Sequence, residues 1–213
     1  MQNTRPDLAF SISLLSRFLS KPTKHIAELM KGVLKYVKGS TQHGITYRRR
    51  RDNEILSIEA YTDSDFADKH IHGDRRSTSG YIIKMAEDAI SWSSKRQPGV
   101  PSTSSTHSEY RGQASAVRHI VHLSMFMNQI HLPIERPILL HADNTSAIAL
   151  AKNPEFHTRT KHIDVAFHFQ RYYVKTGLIA LHYIPTTDMI ADGLTKPLNR
   201  AKFAEFVTML GLQ

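Results

Sequence analysis

The spacing of hydrophobic residues changes near residue 55, and this change limits the folds open to the chain. Three short runs rich in β-branched or aromatic residues, each bounded by turn-forming residues, predict a meander of strands at residues 55–62, 81–84 and 89–92. Later patterns predict strands at 138–142 and 178–184, and helices at about 108–129, 144–152, 162–175 and 200–210. The order βββαβααβα predicts an α/β (mixed α+β) fold with a mixed sheet of about five strands flanked by helices.

Two helical patterns precede the first strand. The second is an amphipathic stripe at residues 26–37, where Thr23 suits the N-cap and Gly39 the stop. We therefore predict an N-terminal helical segment at residues 1–50, followed by the α/β domain at residues 51–213. Because a large apolar face rarely stays solvated in a stable monomer, we expect the stripe to be partly exposed and to favour self-association.

The charge balance favours a polyanionic partner. The 213 residues include 28 Lys and Arg against 19 Asp and Glu, so the formal net charge is +9. Lys and Arg release condensed counterions from phosphates, which makes nucleic acid the expected partner of such a chain. A merely basic protein fits the charge equally well, so charge alone does not decide.

Missing residue types and segments exclude several classes. The chain has no Cys, which excludes a disulfide scaffold, a thiolate zinc site and a cysteine nucleophile. A Gly-rich phosphate loop and a serine–histidine nucleophile motif are also missing. No run approaches the ~20 apolar residues of a membrane span, and the N-terminus lacks the apolar region of a signal peptide. We expect a soluble, intracellular protein without a membrane partner.

Acidic residues fall where predicted strands end and helices begin, namely at Asp63, Glu109, Asp143 and Asp192. Sites in open α/β sheets gather at the carboxyl ends of strands, so these acids can converge. Oxygen ligands without Cys suit Mg²⁺ or Mn²⁺, and two such ions about 4 Å apart would activate water for phosphodiester hydrolysis. Each acid alone also fits a turn or N-cap, and two neighbours remain alternatives for one of the ligands: Asp65 and Asp188.

Candidate nucleic-acid contacts lie near the same predicted sheet. Lys95 and Arg96 are predicted in the loop after the third strand, free to reach phosphate. Trp92 fits either the core or stacking on a base, and His162 fits either a structural role or a nucleic-acid contact. The residues we assign to nucleic-acid binding are Lys95, Arg96, Asn144, Ser146 and His162.

Seven short sequence motifs follow one another along the chain. They are YTDSD (61–65), DRRSTSGY (74–81), ISWSSKRQP (90–98), SSTHSEY (104–110), DNTSA (143–147), RTKHID (159–164) and PTTDMIADGLTKPL (185–198). Together they resemble the ribonuclease H domain at the C-terminus of Ty1/copia-type retrotransposon Pol polyproteins. Residues 1–50, with TRPDLA (4–9) and LKYVKG (34–39), are similar to the segment that joins the reverse transcriptase to that domain.

The resemblance implies an RNase H-like fold and hydrolysis of the RNA strand of RNA–DNA hybrids with two divalent ions, Mg²⁺ or Mn²⁺. It implies that the catalytic metal ligands are Asp63, Glu109, Asp143 and Asp192. The implied partners are an RNA–DNA hybrid and the reverse transcriptase domain of the same polyprotein, in the cytoplasm (within a virus-like particle) or the nucleus. The chain lacks the aspartate-pair box of a polymerase palm, so we expect no reverse transcriptase activity from it.

Two positions depart from the family pattern. His107 stands where a second Glu is usual, and Gly112 replaces a more usual Ala within the predicted helix. His107 precedes Glu109 by two residues and so points elsewhere on a helix. Gly112 should cost about 0.8–1 kcal/mol of helix stability relative to Ala.

Two rival interpretations stay open. The first is a catalytically silent nucleic-acid-binding or connection module derived from a Pol protein, against which the presence of all four acids argues. The second is an integrase, which shares the fold class but needs an Asp/Asp/Glu triad, typically with a zinc module. The absence of Cys and the position of Glu109 between the aspartates weigh against an integrase.

Overall fold

The structure is a computed structural model that describes residues 4–47, 55–66, 75–153 and 164–213. Its strands are β1 (Ile58–Asp65), β2 (Thr78–Met85), β3 (Asp88–Arg96), β4 (Ile138–Ala142) and β5 (Ile179–Tyr183). Its α-helices are α1 (Ala9–Ser16), α2 (Lys24–Gly39), α3 (Ser105–Gln129), α4 (Thr145–Lys152), α5 (Asp164–Lys175) and α6 (Arg200–Met209). Short 3₁₀ helices span Pro6–Leu8, Thr186–Asp188 and Ile190–Leu194.

The five strands form one mixed sheet in the order β3-β2-β1-β4-β5. β1 lies at its centre, antiparallel to β2 and parallel to β4, while β5 runs parallel to β4. β2 and β3 form the antiparallel hairpin at one edge. This topology confirms the mixed five-stranded sheet that the hydrophobic pattern predicted.

Helices cover both faces of the sheet. Consecutive residues of β2 illustrate this, because Ile82 and Ile83 point to opposite faces and both are buried. On the Ile83 side, α3 and α4 pack over Ala60 and Leu140 in the larger core. The smaller core on the Ile82 side contains the 3₁₀ helix Ile190–Leu194, α6 and the C-terminal residues. Burial on two faces explains the apolar runs within β2 and β4.

The long helix α3 is fixed at its start and along its buried face. The Ser104 hydroxyl accepts a hydrogen bond from the His107 backbone N–H at 3.1 Å, which caps the first turn. Farther along, the buried Gln113 Oε1 accepts from Gln170 Nε2 of α5 at 2.9 Å. This buried amide pair joins α5 to α3 and satisfies one polar atom of each side chain.

The N-terminal helices differ in how they contact the sheet domain. Leu8 and Phe10 are buried, and α1 packs against β3. Asp7 is held by Arg5 Nη2 at 2.8 Å and by the Tyr36 hydroxyl at 2.7 Å, which ties this segment to α2. α2 itself has no fully buried residue, and its apolar stripe is exposed, with Leu34 56% accessible. The expected partial exposure of this stripe is confirmed.

Several element bounds differ from the sequence prediction. β3 continues to Arg96, so the prediction that Lys95 and Arg96 lie in a loop is wrong. The reason is pairing: Ser79 and Thr78 of β2 lie opposite Lys95 and Arg96 and extend the ladder through polar residues. An edge strand tolerates such polar residues, because one of its sides needs no partner strand. β1 likewise continues to Asp65, so Asp63 lies within the strand.

Within the described residues, no helix combines the length and the hydrophobicity needed to cross a membrane.

Candidate metal centre and nucleic-acid interface

Neighbouring parallel strands bring two of the predicted acids together. Tyr61 of β1 pairs with His141 of β4. Asp63 and Asp143 each follow that pair by two residues, so they lie side by side on the same face at the carboxyl ends of β1 and β4. The register of the central strands therefore places two carboxylates at one edge of the site, as the strand-end argument predicted.

The third acid comes from α3, which packs across β1. Glu109 lies in the second turn of α3 and is only 6% exposed. One oxygen from each of Asp63, Glu109 and Asp143 lies within 4.8 Å of the others. Three carboxylates from a strand, a helix and a second strand thus converge on one point.

Burial makes this cluster costly to keep fully ionised. Burial, together with the charge of Asp192, raises the pKa of Asp63 to about 7, although the Thr195 hydroxyl opposes the shift. Burial and the charges of Asp63 and Asp143 raise the pKa of Glu109 to about 10. Glu109 Oε2 is buried without a hydrogen-bond partner among the described residues. A group of buried acidic oxygens with one atom unsatisfied fits a hard divalent cation such as Mg²⁺ or Mn²⁺.

Two threonine hydroxyls hold the aspartates of the cluster. Thr195 donates to Asp63 Oδ2, and Thr186 donates to Asp143 Oδ2 at 2.7 Å. Each bond fixes one carboxylate oxygen and leaves the other available as a ligand. Sequence reasoning missed both threonines. The available signal was their position in the motif PTTDMIADGLTKPL: Thr186 precedes Asp192 by six residues, and Thr195 follows it by three.

The fourth predicted acid, Asp192, lies beside the cluster rather than within it. It belongs to the 3₁₀ helix Ile190–Leu194, and its charge acts on Asp63 and Glu109. Its Oδ1 forms an ion pair with Lys196 Nζ at 2.9 Å. Among the described residues, the group of mutually close ligand atoms contains neither Asp192 nor the alternatives Asp65 and Asp188.

A basic groove runs between the end of β3 and α3. Its volume is about 910 Å³, and its charged or titratable lining residues are Lys95, Arg96, His107, Arg111, Arg118 and His119. Arg111 shapes the groove by donating to the backbone carbonyls of Pro98 and Val100, the latter at 3.0 Å. The two residues predicted to reach phosphate, Lys95 and Arg96, therefore lie in a larger basic surface that the sequence did not reveal.

The remaining predicted nucleic-acid contacts have different outcomes. Asn144 caps α4, where its Oδ1 accepts from the Ala147 N–H at 2.9 Å and leaves its Nδ2 as a donor. Ser146 is exposed in the first turn of the same helix. Asn144 follows Asp143 directly, and Ser146 lies two residues farther along, in the first turn of α4. His162 lies outside the described residues.

Comparisons with known proteins identify relatives along nearly the whole chain. No protein-family model matches it. The retrovirus-related Pol polyprotein from transposon RE1 of Arabidopsis thaliana is 38% identical over 210 residues, covering 98% of this chain and 14% of that protein. The corresponding polyprotein from transposon TNT 1-94 of Nicotiana tabacum is 35% identical over 212 residues, covering 98% of this chain and 15% of that protein.

Among solved structures, LC11-RNase H1, isolated from compost, matches with a TM-score of 0.46 and 16% sequence identity. The match covers 65% of this chain and 92% of that one.

The sheet order, the strand directions and the helices on both faces define an RNase H-like fold, as the resemblance implied. Over 98% of its length the chain is similar to Pol polyproteins of Ty1/copia-type retrotransposons. It spans about one seventh of the length of these curated relatives, with 14% of one and 15% of the other.

Proposed function

We propose that the chain is an RNA–DNA hybrid endoribonuclease that hydrolyses the RNA strand during reverse transcription of a copia-type element. The convergence of Asp63, Glu109 and Asp143 carries this proposal, because three carboxylate oxygens within 4.8 Å, two of them on buried side chains, repel one another when ionised and can be held together by a divalent cation. The RNase H-like fold and the Pol polyprotein relatives support the same reaction class.

In this proposal Asp63, Glu109, Asp143 and Asp192 hold two divalent ions, Mg²⁺ or Mn²⁺. When bound, such ions activate water and stabilise the negative charge of the phosphodiester transition state. The chain supplies the geometry. Thr195 and Thr186 keep the Asp63 and Asp143 carboxylates in fixed orientations, so that little reorganisation is needed when the ions bind.

The basic groove would hold the backbone of the hybrid. Lys95 and Arg96 lie at the end of β3, and Arg118 faces the same groove from α3. Phosphate contacts of this kind position a duplex without reading its sequence. Recognition of RNA then depends on the 2′-hydroxyl groups near the cluster, where Asn144 Nδ2 and the Ser146 hydroxyl are suitably placed donors.

The proposal includes the reverse transcriptase region of the same polyprotein as a partner. The exposed apolar stripe of α2, with Leu29, Met30 and Leu34, supports this partner because such a face is rarely left in water. Reverse transcription in turn implies an intracellular site of action, in the cytoplasm or the nucleus.

The test is cleavage of an RNA strand labelled at one end and annealed to DNA, with and without Mg²⁺. We expect Mg²⁺-dependent cutting of the hybrid, and none of double-stranded DNA or double-stranded RNA. Asp143→Asn should abolish cleavage, because it removes a negative ligand from the cluster. Asp188→Asn is the matched control, since Asp188 lies outside the cluster.

Two outcomes would contradict the proposal. Hybrid binding without any cleavage by the wild-type chain would favour the catalytically silent module. Cleavage by Asp143→Asn at the wild-type rate would show that the assigned site is wrong.

A further inference from the structure

A lysine forms an ion pair with Asp192, the predicted ligand that lies beside the three-carboxylate cluster. Lys196 Nζ lies 2.9 Å from Asp192 Oδ1, four residues before it in the chain. The Asp192 side chain is 12% exposed and that of Lys196 37%, so the carboxylate is shielded from water while the lysine stays partly solvated. Among the described residues Asp192 Oδ1 accepts no well-aligned hydrogen bond, so the contact acts through charge: the ammonium neutralises the carboxylate that a metal ion would bind.

The influence of Lys196 extends beyond Asp192. Burial opposes the ammonium charge, but the close contact with Asp192 and the attraction of Asp63, Asp192 and Asp65 outweigh it, so the pKa of Lys196 is raised. Conversely, Lys196 favours the ionised form of Asp63. The ammonium is therefore a fixed positive charge within a group of acids.

The backbone holds Lys196 in this place. Thr195, its neighbour, is buried and donates to Asp63. The Lys196 backbone N–H donates to the Asp192 carbonyl at 3.3 Å, which continues the turn that ends the 3₁₀ helix Ile190–Leu194. Lys196 thus reaches the site from a segment that is anchored on both of these aspartates.

The carboxylates divide into two sets. Asp63, Glu109 and Asp143 converge within 4.8 Å. Asp192 is already neutralised by Lys196. Among the described residues Lys196 forms an ion pair with Asp192 and with none of the three clustered acids. A first ion at the cluster therefore displaces no ion pair, although it feels the charge of Lys196 near Asp63, whereas a second ion that uses Asp192 must compete with the ammonium.

We propose that Lys196 is a positioning residue that neutralises Asp192 in the metal-free protein and must leave it before a second divalent ion binds. The inference rests on the proposed function only in assuming that the cluster binds divalent ions. It predicts two separated binding steps: a first ion at the three carboxylates, and a weaker second step that depends on displacing Lys196.

The experiment is a titration of the full chain with Mn²⁺ in the absence of nucleic acid. Electron paramagnetic resonance measures the free Mn²⁺, and calorimetry measures the heat of each binding step. Wild type should show two steps of different affinity. Lys196→Met keeps the aliphatic stem but removes the charge, and it should strengthen the second step by about tenfold or more. Lys196→Arg should keep the steps separated, and Lys202→Met on α6 controls for loss of a positive charge elsewhere.

Three results would overturn the inference: equal affinity of both steps in wild type, an unchanged second step in Lys196→Met, or no Mn²⁺ binding by wild type. Thermal unfolding of each variant in EDTA verifies that it is folded. The hybrid cleavage assay separates the two proposals. A wild-type chain that cleaves hybrid while Lys196→Met leaves the second step unchanged refutes only the role of Lys196. Two Mn²⁺ steps that respond to Lys196 in a chain that never cleaves refute only the nuclease function.

Discussion

Gly112 of α3 lies so close to Ser64 of β1 that a Cβ on Gly112 would be 2.3 Å from Ser64 Oγ. Ser64 is buried, and its hydroxyl lies 2.8 Å from the Ser79 hydroxyl, so turning it aside would break that hydrogen bond. The contact brings α3 onto β1 one turn after Glu109. Glycine at this position thus lowers the stability of α3 but allows the close packing that brings Glu109 near Asp63.

Gly112→Ala tests this relationship. We expect it to lower the free energy of unfolding by about 1–3 kcal/mol, since overpacking outweighs the gain in helix propensity. In a Ser64→Ala background the clashing oxygen is gone, so Gly112→Ala should be neutral or stabilising by up to about 1 kcal/mol. Urea unfolding of the four proteins measures the difference. An equal loss in both backgrounds would mean that Ser64 is not the obstacle.

The buried acids predict how stability depends on pH without metal. The pKa of Asp63 is raised to about 7 and that of Glu109 to about 10, above unfolded values of about 3.9 and 4.3. The folded state therefore keeps protons that the unfolded chain has lost. Stability is greatest below the unfolded pKa and falls as pH rises toward each folded pKa, by at most about 1.4 kcal/mol per pH unit for each group.

Urea unfolding in EDTA between pH 5 and pH 9 measures this dependence. Glu109→Gln removes one of the two titrating groups, so its stability should fall less steeply with pH than that of wild type. Added Mg²⁺ should raise stability most at high pH, where the ion binds carboxylates that are otherwise costly to ionise. A Glu109→Gln curve parallel to that of wild type would show that Glu109 does not titrate with a raised pKa.

The basic groove predicts a change in salt dependence. Lys95→Ala with Arg96→Ala should weaken binding to hybrid and to duplex DNA by similar factors, and lower the salt slope by up to about 2 if both contact phosphate. Selective cleavage of RNA opposite DNA should survive at low salt. Lys31→Ala with Lys35→Ala, on the exposed surface of α2, is the control for net charge. Loss of the preference for hybrid over duplex RNA would mean that Lys95 and Arg96 read the shape of the substrate.

The boundary at residue 50 stays a prediction, and truncation tests it. Because Leu8 and Phe10 are buried and α1 packs on β3, removal of residues 1–50 should lower Tm by several degrees or more. Leu34→Ser on the exposed stripe of α2 should leave Tm unchanged and reduce self-association, as seen by light scattering. A truncated chain with the Tm of the full chain would show that the helices do not stabilise the sheet domain.

The sequence predicted the sheet because its strands have a clear apolar pattern, and it predicted that acids would converge because they fall at or near the ends of such strands. It placed Asp63, Glu109 and Asp143 correctly enough for the structure to bring them together. The end of β3 could not be predicted, since Lys95 and Arg96 have no strand pattern and pair only because β2 lies beside them.

The surroundings of the acids were also beyond prediction. Thr195 and Lys196 follow a 3₁₀ helix, which is too short to show a hydrophobic period. Their contacts with Asp63 and Asp192 form only because that segment packs against the sheet. Gly112 was recognised only as a cost to the helix. The close approach that requires it depends on the packing of α3 against β1, which no local pattern encodes.

The bond between Thr195 and Asp63 joins residues 132 positions apart, and this separation has a consequence for the order of events during synthesis. At the usual 5–20 residues per second, a ribosome takes roughly 7–26 s to travel from one to the other. During that time the β2–β3 hairpin, with its basic end, is already made, while β5 and the segment bearing Asp192 are not. A nascent chain therefore carries the basic end of this hairpin before the Thr195 hydroxyl can hold Asp63, because that bond forms only after translation has passed Thr195.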